Sequence, residues 1–151
     1  MSIFVAIKFL HVALAIVAIG FNATYGIWLR RAARQPDHGL FVLQGIKTLD
    51  DRFANPAYAL LLVSGVAMLL VAGIPVTTFW IAAALSLYSF LLLVGLGIYT
   101  PTLRRQIAAF ETEGPASDEY QRLAARGLSV GIVLAVIAVA ILFLMVTKPV
   151  L

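Results

Sequence analysis

Four stretches of this chain are almost wholly apolar, approximately Ser2–Leu29, Ala54–Ala72, Thr78–Thr100 and Leu123–Thr147. Each approaches or exceeds the roughly 20 residues that a helix needs to cross the hydrocarbon of a bilayer. The pattern predicts an all-α, polytopic membrane four-helix bundle, running up-down-up-down as a single domain over residues 1–151. The first stretch has no basic run ahead of it and is too long for the apolar part of a secretory signal, so it reads as a retained helix.

The polar positions predict how these helices begin and end. In "RRAARQPDHGLFVLQGIKTLDDRFANPAY" Pro36 ends the first helix and Asp37 is placed to cap the next helical segment. Phe41, Leu43, Ile46 and Leu49, interleaved with Lys47, Asp50 and Asp51, predict a short helix at the membrane surface, about 37–52. Asn55-Pro56 reads as N-cap plus first helical residue, a sharp start for the second span. The uncharged loop "AGIPVTT" makes the second and third spans antiparallel neighbours. Pro101 kinks or stops the third span. A second surface segment, about 102–120, then leads to Ser117, whose neighbours Asp118 and Glu119 suit a helix N-terminus.

Composition strengthens this picture. Of the 151 residues 62% are hydrophobic and only 12% charged, too little charge to cover a water-soluble domain of this size. Mean hydropathy is +1.01. Cysteine is absent, which removes disulfides, thiolate metal sites and cysteine nucleophiles. The net charge of +4 would suit nucleic acid, but its location argues against that partner. Arg30, Arg31, Arg34, Lys47 and Arg52 fall in the first connection and Arg104, Arg105, Arg122 and Arg126 in the third, while the second has no charge. Under the positive-inside rule both basic connections are cytoplasmic and both termini face outside, as expected for a multi-pass protein of a bacterial inner membrane. Trp28 and Trp80 are placed to anchor the two interfaces.

Candidate chemistry is sparse and centres on "IKFLHV". His11, Ala15, Ala18, Asn22 and Tyr25 recur on one stripe of the first helix, with Lys8 one turn outward. At 1.5 Å per residue His11 lies about 12 Å below the outer end of that helix, where an ionisable group is costly against lipid and turns inward. One reading bonds a neutral imidazole to a hydroxyl of a neighbouring helix, with Ser64, Thr78, Ser86, Ser89 and Tyr88 as candidates, while Lys8 reaches to the headgroups. The other reading makes His11 an axial metal ligand of haem in an apolar slot. His38 belongs to the opposite side of the membrane and cannot face His11, so the second axial position is left open or falls to Met68 or Met145.

Asn22 and Tyr25 read as interhelical fasteners, and Gly95-x-Gly97 and Gly127-x-x-x-Gly131 as places of close backbone approach. No phosphate loop, histidine metal pair or hydrolytic triad is visible. Buried acids are absent by this reading, which argues against proton-coupled transport.

The order of "KFLH", "ANPAYALLLVSGVAMLL" and "FLMVTKPVL" resembles a bacterial family of small four-helix integral membrane proteins of unknown function, over nearly the whole chain. The same Lys-x-x-His, Pro-Ala and terminal Lys-Pro marks are similar to those of HemJ-type protoporphyrinogen oxidases and, more distantly, CopD copper-resistance proteins. The HemJ likeness implies haem b on His11, oxidation of a porphyrinogen, and Lys8 and Lys148 beside carboxylates of haem or substrate.

These readings leave two expectations. The first is a cofactor-free inner-membrane scaffold or partner subunit, in contact with the bilayer and with a homo-oligomeric or membrane partner. The alternative is a haem-b-binding, redox-active protein with His11, Lys8 and Lys148 as its cofactor site.

Overall fold

The structure is a computed structural model that describes residues 2–149. All regular elements among these residues are helical, and four continuous helical rods are long and apolar enough to span a membrane. The first rod is α1 (Ile3–Arg34), begun by the Ser2 hydroxyl accepting from the Val5 amide. It runs one turn beyond the expected Leu29 and ends, as expected, just before Pro36. A 3-10 turn at Pro36–His38 then reverses the chain, and Asp37 makes no capping bond there.

The second rod joins α2 (Gly39–Leu49) to α3 (Asn55–Ala72) through a π-helical turn at Asp50–Ala54. The third joins α4 (Phe79–Val94) to α5 (Thr100–Glu113) through a second π turn at Gly95–Tyr99. These π turns correct one expectation, that Asn55-Pro56 starts a helix, and decide another: of the two outcomes open to Pro101, stopping the third span is the one that does not occur. A proline lacks an amide hydrogen and collides with the carbonyl four residues back, which is Arg52 for Pro56 and Gly97 for Pro101. Both carbonyls lie inside a π turn, whose closing bonds run from the Asn55 and Thr100 amides to the Asp50 and Gly95 carbonyls. The wider turn moves the offending carbonyl aside and the helix continues.

The two surface segments are therefore helical extensions of the spans. The third rod has 35 residues, about 50 Å at 1.5 Å per residue, against about 30 Å of hydrocarbon. Its α5 end must project beyond the lipid tails.

Gly73, at φ +65, ends α3 in a left-handed cap, with Ile74 bonded back to Leu69. After α4 and α5 comes α6 (Asp118–Thr147), starting at Ser117, whose hydroxyl accepts from the Tyr120 amide at 3.3 Å as expected.

In space α1 packs on α3, and α4 and α5 pack on α6. The second and third spans are joined by their loop, yet no Cα of α3 comes within 8 Å of one in α4. Tyr88 bridges the gap, donating to the Tyr58 carbonyl at 2.5 Å with the two rings 6.4 Å apart. Side chains rather than backbones make these spans neighbours.

The best-packed core lies at the arginine-rich end, where Tyr25, Leu43, Ile46, Tyr99 and Leu103 are buried together. Phe110 sits edge-on to Tyr120 beside it, and Phe21 contacts Phe53.

Candidate functional site

Two polar places occur inside the bundle, one in each half. In the half that carries the termini, His11 Nδ1 lies 2.9 Å from the Ser64 hydroxyl. Ser64 is buried and also donates to the Leu61 carbonyl, so its oxygen is the acceptor for an imidazole N–H. The ring rests on Gly65, where an added Cβ would come within 3.2 Å of His11 Cε1. Helices α1 and α3 are thus clasped at a point where a larger residue would press on the ring.

The other residues expected at this site are not gathered around it. Lys8 is exposed, and Lys148 stands over the Trp80 ring, 5.5 Å from its centroid, on the α4/α6 side of the molecule. Neither principal cavity is lined by His11, Lys8 or Lys148. A haem b beside His11 needs an open slot of porphyrin width and a free ring nitrogen directed into it. Here the ring is seated against α3 with Nδ1 engaged by Ser64, which leaves Nε2 as the nitrogen that would have to meet iron. Met68 and Met145 are half-buried without a bond to His11, and His38 is exposed at the arginine-rich end.

The second polar place is a cavity of about 280 Å³ between α1, α6 and both π turns. Its polar lining comprises Asn22, Tyr25, Asp50, Asn55, Tyr58, Tyr99 and Thr100. Asp50 is only 4% exposed. Its one side-chain bond is from Asn55 Nδ2 at 3.3 Å, and among the described residues no cation lies within ion-pair distance, because Lys47 pairs with Asp51. Tyr25, Tyr58 and Tyr99 line the same cavity as Asp50. Asn22 fixes one wall by donating to the Ala18 carbonyl at 2.8 Å and to the Tyr58 hydroxyl at 3.3 Å. The Tyr25 hydroxyl is buried and, among the described residues, has no hydrogen-bond partner.

Asp50 overturns the expectation that no acid is buried, and with it the argument drawn against proton-coupled transport. The helical register carried the signal: Leu43, Ile46, Asp50, Ala54 and Ala57 recur every three or four residues and all are buried. Reading Asp50 with its charged neighbours Lys47 and Asp51 obscured that stripe. The glycines also differ from expectation. A Cβ at Gly95 or Gly97 would meet nothing within 4 Å, and Gly131 faces the Tyr99 ring at 3.7 Å rather than a helix backbone.

Four apolar rods with charge gathered at one end define an integral membrane protein. The chain belongs to the predicted integral membrane protein family DUF2269, whose model matches residues 5–149. No curated protein and no solved structure matches it.

Proposed function

We propose that this protein is a cofactor-free scaffold or partner subunit of a bacterial inner membrane, with both termini outside and the arginine-rich end in the cytoplasm. The observation that carries this reading is the bond between His11 and Ser64. It uses an intramembrane imidazole to join two spans, a normal role for a polar side chain in a bundle. The orientation is supported by the crowding of Arg30, Arg31, Arg34, Arg104 and Arg105 at one end, against Lys8 and Lys148 at the other. Lys148 over Trp80 puts a cation and an indole together at the outer headgroups, where both are at home.

Protein purified from cells with ample haem supply tests this. The expected product has no Soret band, melts lower as His11→Ala, and recovers part of the loss as His11→Gln, which can still donate to Ser64. A Soret band that vanishes in His11→Ala would instead make His11 an iron ligand and overturn the reading.

A further inference from the structure

The cavity between α1 and α6 stands apart from the His11 clasp, and its chemistry selects a ligand. At its polar end a buried carboxyl lacks a cationic partner and a buried hydroxyl lacks any partner. An ionised carboxylate in such a place is stable only when paired. No lysine, arginine or histidine lines the cavity, so nothing there would receive an anionic head such as a carboxylate or phosphate.

The rest of the wall is apolar. Leu96, Ile132 and Val139 line it and are also 55%, 56% and 61% exposed, at positions within the spans. The cavity mouth therefore opens onto lipid, and its ligand arrives dissolved in the membrane. The volume is at the small end of the range for ligand pockets. Asp50 lies on one π turn and Tyr99 on the other, and such turns are frequent at functional sites.

We propose that this cavity binds a membrane-dissolved amphiphile with a protonated amine head, which enters between α1 and α6 and sets its nitrogen between the Asp50 carboxylate and the Tyr25 hydroxyl. The ammonium supplies the missing positive charge and donates to the unpartnered oxygen. Tyr58 and Tyr99 add aromatic rings that favour a cation. The short alkyl body replaces lipid along Leu96 and Ile132.

The test uses the full chain in phosphatidylcholine nanodiscs, titrated calorimetrically with decylammonium, decanol and decanoate. Decylammonium is expected to bind saturably at one site, about tenfold or more tighter than decanol, as a charge-assisted contact implies. Asp50→Asn should remove that advantage, and Tyr25→Phe should weaken binding severalfold. Gly26→Leu, at a lining position where a Cβ meets nothing within 4 Å, should fill the cavity and abolish binding without lowering the melting temperature. Equal affinity for decanol, unchanged affinity in Asp50→Asn, or heats matching empty nanodiscs would overturn the proposal. If Asp50→Asn fails to fold, Gly26→Leu decides, and retained affinity there overturns it as well.

Discussion

The two halves of the bundle are held together by different physics. At the arginine-rich end large side chains interlock, with Leu43 fully buried and Tyr25, Ile46, Tyr99 and Leu103 around it. That end lies next to water, so burying apolar surface there is favourable in the ordinary way. In the terminal half the surroundings are hydrocarbon, and burial of a leucine gains nothing over leaving it against lipid. The buried residues there include the small Ser64 and Ala84 and one large side chain, Ile81, and other large apolar side chains such as Phe9 and Leu70 face outward. Close approach and the His11–Ser64 bond add specific contacts to the little large-side-chain packing there. A membrane bundle of this kind has one end packed like a soluble protein and the other joined by a few specific contacts.

Substitutions that remove comparable volume from the two halves sharpen the contrast. Leu43→Ala should be the most damaging, costing about 2–4 kcal/mol as expected for a closed core, and visible as a large fall in melting temperature in detergent. Gly39→Ala comes next. Its Cβ would stand 2.7 Å from the Phe110 ring, and overpacking of this sort costs about 1–3 kcal/mol. Shrinking the ring in a Gly39→Ala, Phe110→Leu double variant should restore part of the loss, and additive damage would show that the clash is not the cause. His11→Ala and Ser64→Ala should each cost about 1 kcal/mol, with a coupling of about 0.6 kcal/mol in a double-mutant cycle. Zero coupling would remove the clasp from the account of the terminal half. Leu70→Ala, at a site 79% exposed to lipid, should change stability by less than about 0.5 kcal/mol despite losing the same atoms as Leu43→Ala. If the two leucines cost the same, the halves are not held differently.

Much of the architecture was legible in the residues. Ser117 does begin a helix, Pro36 does lie past the end of one, and the first and second spans do start near Ser2 and end at Ala72. These are local events, decided by hydrogen-bonding groups within one turn. Ser64 was among the hydroxyls open to His11, but five candidates stood on different parts of the chain, and nothing local selects among them. Pro56 misled, and Pro101 left two outcomes open, for a related reason. A proline dictates only that its missing bond and ring be accommodated, and a helix can comply by ending or by widening into a π turn. The choice depends on whether the segment beyond the proline, away from the span, has something to pack against. Leu43 and Ile46 on α2 and Leu103 and Gln106 on α5 do, which keeps both helices going.

Residue identity alone established that this chain lives in a membrane, that it carries four spans, and where its charges gather, because transfer of each side chain between water and hydrocarbon is a property of that side chain. Packing in three dimensions settled which spans touch, that α3 and α4 meet through Tyr58 and Tyr88, and that Asp50 turns inward to a cavity while Asp51 beside it stays outside. Those outcomes depend on residues distant in the chain arriving at one place, and no single residue's transfer energy contains that information.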